Sequence, residues 1–310
     1  MNQHPSLREV LAIRRALGIK KRPGRLPNNE LPKLLINKYK KQLLVLVKLW
    51  KDATERILFP HLQDIEKRVM MERHVADGWP EDLQAQNDLL LDDYNRLSLQ
   101  SSQIAAGTFS EVNGLSHKRW YALAKKVMGV DLIKSEPWID SEARAFVAEN
   151  VTLVKKLAAN TAHDISQIVM NGFRTGKRIE IMKAEILGTD LTADIYPYFG
   201  KVENRAATIA RDQTSKLWGN VNRMRQQGVG VKIYIWRTAM DERVRPSHRA
   251  MEGKYCLWSD PTVYANTLEE ALAGKWKQRT SEMVKLHPSE DYNCRCYPEP
   301  VFETLYAEVR

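Results

Sequence analysis

Cysteine is scarce in this chain of 310 residues, which carries Cys256, Cys294 and Cys296 and no others. An odd number that includes a Cys-x-Cys pair does not describe a disulfide framework. It fits a reducing compartment and leaves metal binding or plain packing as uses for the thiols. Long apolar runs are missing too: the longest, LLVLV at 43–47, falls far short of the ~18 residues that mark a membrane-spanning helix. The opening MNQHPSLREVLAIRRALGIKKRPGR has no apolar stretch after its charges of the kind a cleavable secretory signal needs, so a cytoplasmic protein is expected. Also absent are a Gly-rich phosphate loop, a His-Glu-x-x-His pair and a nucleophile elbow, which removes the commonest signatures of nucleotide, zinc-protease and serine-hydrolase chemistry. No aromatic residue precedes Tyr39, so the basic N-terminal stretch does not read as a base-stacking groove for single strands.

What is present is sufficient for a globular protein. A hydrophobic fraction of 43% excludes disorder throughout, and the length allows two domains. The formal charge of +10 is unevenly spread. Residues 1–56 hold fourteen Lys or Arg against four acids, whereas the rest of the chain is balanced at 34 of each. Residues 1–30 combine a short amphipathic piece with KKRPGRLPNNELP, whose Pro, Gly and Asn break a helix, and read as a basic arm. Arg14, Arg15, Lys20, Lys21, Arg22 and Arg25 are its candidate phosphate contacts, since cationic side chains displace counterions from nucleic acid without reading sequence. A merely solvated charge run is the alternative.

The remainder divides into a helical domain, 31–139, and a C-terminal domain, 140–310. From Leu34 to about Val75 the apolar spacing is helical, and Pro60 predicts a split into two helices. Helical runs follow at about 81–112 and 117–127, punctuated by Asn113-Gly114. Beyond Asp140 come a helix ending at NGFRTGKR, a short helix over 179–187, and a helix from about Glu203 to Gln227 that ends at Gly228. On that last helix Arg205, Arg211, Arg223 and Arg225 fall away from the apolar stripe. VKIYIWRT then alternates as a strand, with VKLHP near Val284 and YPEPVF at 297–302 as further strand candidates, the last an edge piece because of its prolines. The fold class is α+β: a mainly helical N-terminal half, then C-terminal helices packed on a small β-sheet with long loops.

Two polar clusters stand about forty residues apart in the C-terminal domain. One holds Asp241, Arg243, Arg245 and His248; the other holds His287, Asp291, Cys294, Arg295 and Cys296. No helical or strand period organises them, so a site where two loops meet is expected. Three readings stand. His248, His287, Cys294 and Cys296 supply the imidazoles and thiolates that zinc prefers and could close a tetrahedron, making zinc the candidate cofactor. Alternatively Asp241, Arg243, Arg245, Asp291 and Arg295 form a hydrogen-bonded loop junction with the cysteines as small buried groups. In the third reading Asp241, His248 and a metal or Cys294 assemble into a hydrolase or nuclease site. His163, on the long helix before NGFRTGKR, has no partner at metal spacing and reads as an ordinary histidine.

The text W-R-T with Asp241, R-V-R-P-S-H ending at His248, Gly253, Asp260-Pro261, His287-Pro288 and D-Y-N-C-R-C closing at Cys296 resembles the C-terminal domain of the phage Mu F-like minor head protein (head morphogenesis) family. The resemblance runs upstream to about Phe146, through NGFRTGKR and ARDQTSKLWGNVNRMRQQG. It departs at Ser289, where the family usually has Gly. The resemblance implies a virion component rather than an enzyme, present in few copies in procapsid assembly. It would be associated with portal protein, scaffold or major capsid protein at the portal or capsid interior, and in contact with packaged double-stranded DNA through the basic arm. It would reside in the phage head, and in host cytoplasm during assembly. A metal- or Cys-dependent enzyme, hydrolase, nuclease or toxin-related, is the alternative.

Overall fold

The computed structural model describes residues 29–71, 78–128, 135–188 and 196–302. The basic arm with Arg14, Arg15, Lys20, Lys21, Arg22 and Arg25 therefore lies outside the described residues. Two compact units emerge, and neither is a continuous stretch of chain. One comprises Asn37–Gly107 and Ala143–Arg211; the other draws on 1–36, 108–142 and 212–310. The boundaries at 107/108, 142/143 and 211/212 fall inside helices.

The first unit is helical. It takes in most of α1 (Lys33–Met71), α2 (Trp79–Leu97), a 3-10 turn (Ser98–Gln100), the start of α3 (Ser101–Met128), most of α4 (Ile139–Arg174), α5 (Ile179–Leu187) and the start of α6 (Tyr198–Gly228). Tyr39, Leu43, Leu46, Val47 and Trp50 recur at helical spacing on α1, and all are buried against Leu90 and Tyr94 of α2, Val154 and Ile165 of α4 and Phe199 of α6. Each such side chain fully removed from water contributes about 1.5–3 kcal/mol. Two polar groups in this core pair with each other: Tyr39 Oη donates to Asn150 Oδ1 at 2.7 Å, and Asn150 Nδ2 donates to the Phe146 carbonyl at 2.8 Å. Trp50 stacks on Tyr94 with ring centres 5.5 Å apart.

Two expectations are corrected here. α1 continues through Pro60 as one helix; proline removes one backbone donor, while Leu58, Phe59, Leu62 and Ile65 on either side are all buried in one core that holds the helix together. Asn113-Gly114 lies inside α3 and does not punctuate it. The break comes earlier, at Ser98, whose hydroxyl donates back to the Tyr94 carbonyl at 2.6 Å and closes α2 in a 3-10 turn. α4 stops where its sequence says: Gly176 takes a φ of 68° and Lys177 N donates to the Gly172 carbonyl at 2.8 Å.

The second unit is α+β. Its three-stranded antiparallel sheet has the order β2 (Tyr255–Leu257), β1 (Ile233–Arg237), β5 (Tyr297–Pro300), and a separate pair joins β3 (Val263–Tyr264) to β4 (Lys277–Gln278). Two short helices, α7 (Pro246–Arg249) and α8 (Leu268–Leu272), sit in the connections. β1 is central, so both its edges are paired, and its two faces pack into separate apolar clusters. Ile233 joins Ala265, Ala271 and Val301, whereas Tyr234 and Trp236 join Met251, Cys256, Trp258, Cys294 and Cys296. Period-two alternation thus delivers Tyr234 and Trp236 to the side that holds the cysteines. β5 carries its prolines on an edge, as expected. VKLHP forms no strand, and its place beside β1 is taken by Tyr255–Leu257.

The C-terminal part of α6 backs this unit with an unusually polar buried face. Asp212, Gln213, Thr214, Ser215, Asn222, Arg225 and Gln226 are all buried. Arg225 was expected away from the packed stripe. Its guanidinium is instead fully enclosed, with Nε donating to Glu136 Oε1 at 2.7 Å, Nη1 to Ser116 Oγ at 2.7 Å and further bonds to Asn113 and Glu136 Oε2. Five donors in a fixed fork let arginine satisfy such a pocket, where lysine would leave acceptors unmatched.

Candidate functional site

The two polar loops meet beyond the end of β1. The chain leaves Arg237, turns at Met240 with a φ of 54°, and enters α7, whose Pro246 occupies the first turn that proline suits. His248 on this turn is buried, at 3% exposure. The second loop, 287–296, bends twice through left-handed backbone, at Ser289 (φ 72°) and Asn293 (φ 52°). Met240, Ser289 and Asn293 are the non-glycine residues with positive φ among the described residues, and all three fall in these two loops.

Side chains of α6 hold the second loop in that shape. Asp212 Oδ1 accepts from Asn293 N at 2.7 Å, and the Ser215 hydroxyl donates to the Cys294 carbonyl. Trp258 Nε1 donates to Gln226 Oε1 at 3.1 Å while Gln226 Nε2 donates to the Pro298 carbonyl at 3.2 Å. Asp212, Ser215 and Gln226 were not singled out in the sequence. Their signal was there as polar residues on the packed side of an amphipathic helix.

Between the loops the polar residues pair across some fifty positions. Arg295 grips Asp241 with both guanidinium nitrogens, Nη2 donating to Oδ1 at 2.5 Å. Arg245 Nη1 donates to Asp291 Oδ2 at 2.6 Å, and its Nη2 to the Tyr292 carbonyl at 2.7 Å. Arg243 is peripheral: its backbone N donates to Asp241 Oδ1 at 3.1 Å, but its guanidinium is three-quarters exposed and 4.0 Å from that carboxylate. The Arg295 guanidinium holds the Asp241 carboxyl down at about 2. Burial works against ionisation of Asp291, yet His248, the Tyr292 amide and Arg245 together lower its carboxyl.

At the centre stand His248, Cys294 and Cys296, with candidate ligand atoms all within 4.8 Å of one another. His248 Nδ1 is 3.5 Å from Cys294 Sγ and 3.4 Å from Cys296 Sγ, and its Nε2 is 2.9 Å from Asp291 Oδ2. Cys294 Sγ also accepts the backbone N–H groups of Ser289 and Cys296, each at 3.4 Å. The neighbouring Cys296 thiol foremost, with His248, brings the Cys294 thiol down to about 5, whereas Cys296, facing that sulfur from a buried position, moves up. Burial opposes a charge on His248, but Cys294 and Asp291 outweigh it and raise the imidazole. The Trp236 ring meets that of His248 edge-on at 5.8 Å.

His287 is not brought into this group. Its Nδ1 lies 2.9 Å from Tyr234 Oη and its ring packs on Trp258, centres 5.0 Å apart. Burial pushes it down to about 4. Cys256 stands on the same face of the sheet, and burial pushes its thiol up to about 11. His163 is exposed on α4.

Fold and site together define an α+β domain in which a short antiparallel sheet carries two polar loops locked onto each other around a Cys-x-Cys pair and a histidine. Residues 163–298 match the family described as Phage Mu protein F like protein, the same family that the sequence motifs resemble. An uncharacterized protein of Haemophilus influenzae is 29% identical over 207 residues, 66% of this chain and 40% of the relative, so the chain spans about two fifths of that protein's length. No solved structure matches the chain.

Proposed function

We propose that this protein is a minor phage head component that acts in head morphogenesis as a structural factor and not as an enzyme. The observation that carries the reading is the family match over 163–298, which contains both polar loops up to Cys296 and the buried polar face of α6 that shapes them. Charge pairs and left-handed turns that lock two loops onto each other fix one geometry, which is what a component incorporated at a defined place in a shell requires. Its partners are portal protein, scaffold or major capsid protein at the portal or on the capsid interior, and its location is the assembling and finished head within an infected host's cytoplasm. The basic arm would contact packaged double-stranded DNA through phosphates, with an affinity that falls steeply as salt rises. Among the described residues no helix is long and apolar enough to cross a membrane. In this reading the Cys/His group is a candidate zinc site.

Mass spectrometry of purified procapsids and mature heads tests the role: the chain should occur in both at low copy number, and absence from both overturns it. One observation favours a catalytic second reading. His248 stands between the Cys294 sulfur and the Asp291 carboxylate, as a base stands between a nucleophile and the group that orients it. Cys294 and His248, each 3% exposed, leave a substrate no approach in this conformation. Rapid, stoichiometric alkylation of Cys294 in the native chain would favour this reading over the structural one.

A further inference from the structure

We propose that His248, Cys294 and Cys296 bind one zinc ion through His248 Nδ1 and two thiolates, with Asp291 orienting the imidazole from behind. The inference rests on the cluster alone and goes beyond the assembly role.

Distances come first. A zinc ion holding thiolate at about 2.3 Å and imidazole at about 2.0–2.1 Å in a tetrahedron separates N from S by roughly 3.6 Å along each edge. The two His248 Nδ1 to sulfur separations, 3.5 and 3.4 Å, are close to that edge. Two sulfurs equidistant from one ring nitrogen exceed what hydrogen bonding asks for, because that nitrogen has a single lone pair or a single proton to share.

The tautomer is fixed by chemistry. An ionised carboxylate only accepts, so Asp291 Oδ2 at 2.9 Å from Nε2 places the proton there, and in the neutral ring leaves the lone pair on Nδ1, aimed at the sulfurs. A carboxylate behind a ligating histidine is the usual outer-shell arrangement of zinc sites. Arg245 in turn anchors that carboxylate at 2.6 Å.

The sulfur side is equally prepared. Cys294 Sγ receives two backbone N–H groups at 3.4 Å, an environment suited to a thiolate. The left-handed turns at Ser289 and Asn293 are what bring those amides round. Borderline-soft thiolate and imidazole together select zinc over calcium or magnesium, which take oxygen. His287 is committed to Tyr234 Oη and does not ligate. Among the described residues no fourth His, Cys, Asp or Glu joins the group.

The test uses the full chain purified without chelator. Native mass spectrometry and elemental analysis should find about one zinc per chain. Cobalt added to the stripped protein should give a thiolate-to-cobalt charge-transfer band that saturates near one equivalent. Cys294→Ser, Cys296→Ser and His248→Gln should abolish the band, while His287→Gln keeps it. Asp291→Asn should weaken zinc retention against a competing chelator by ~10–100-fold without removing the band. If a cysteine variant does not fold, the wild-type chain decides alone: a native mass equal to that of the bare polypeptide, with no cobalt band, overturns the site. Loss of the band in His287→Gln overturns the three-ligand assignment.

Discussion

Gly219 on α6 and Ser289 in the cysteine-bearing loop stand so close that a methyl group on the glycine would lie 2.4 Å from Ser289 Cβ and 3.1 Å from the Pro288 carbonyl oxygen. The loop therefore rests directly on helix backbone. Gly219→Ala should force the loop outward and cost about 1–3 kcal/mol, the usual penalty for overpacking. Urea unfolding of the variant against wild type measures it, and an unchanged midpoint would mean the loop is not seated there.

Ser289 holds a φ of 72° that glycine adopts freely, at a penalty of about 1–2 kcal/mol for an L-residue. It recovers part of that through its hydroxyl, which donates to the Cys296 carbonyl at 2.9 Å, a bond worth about 1 kcal/mol net. Stability should therefore run Ser289→Gly at or above wild type, and Ser289→Ala below both, since alanine keeps the strain and loses the bond. A Ser289→Gly variant that falls as far below wild type as Ser289→Ala in thermal unfolding would show that the hydroxyl, not the backbone, decides this position.

The enclosed Arg225 and Glu136 pair makes a third test. Removing one partner leaves the other uncompensated, so Arg225→Met alone should cost about 3–5 kcal/mol. Combining it with Glu136→Gln should recover a good part of that loss. A double variant as unstable as the two single costs added together would argue against coupling.

The pH dependence follows from His287. Its imidazole lies at about 4 in the folded protein against an ordinary value near 6.5, because burial disfavours the charged ring. The unfolded chain then binds more protons than the native one between those values. Stability from this group is full above about 6.5 and is lost as the pH falls toward 4. His287→Gln should flatten the acid limb of a stability-against-pH curve over that window, and an unaltered limb would assign the loss to other groups.

How much of this was legible in the sequence varied with the kind of residue. α5 and the end of α4 were readable because their apolar spacing and Gly176 are local signals. The strand at Ile233–Arg237 was readable by alternation, and the meeting of the Asp241 and Cys294 loops by the density of polar residues without a period. β2 was not, since three residues in EGKYCLWS carry no periodicity of their own and become a strand only by pairing with Tyr234. Nor could the sequence separate the two histidines: both sit in polar clusters, and only the face to which β1 turns Tyr234 decides that His287 is engaged there while His248 is left for the sulfurs. Arg225 was misplaced because a charged residue near an apolar stripe is ordinarily solvated, and its acceptors come from residues 109 and 89 positions away.

Strand β5 has a bearing on how the molecule comes off the ribosome. Ile233 must wait for Val301, whose amide it accepts at 3.0 Å, and the core on the far face of the sheet lacks two of its sulfurs until residue 296 exists. During translation the stretch from Asp212 onward therefore stays open until about ninety residues later, with Trp236, Trp258 and Met251 unsheltered in the meantime. Closing a loop that long is slow compared with making a helix, so this last third of the protein is the part that a nascent-chain chaperone would find exposed.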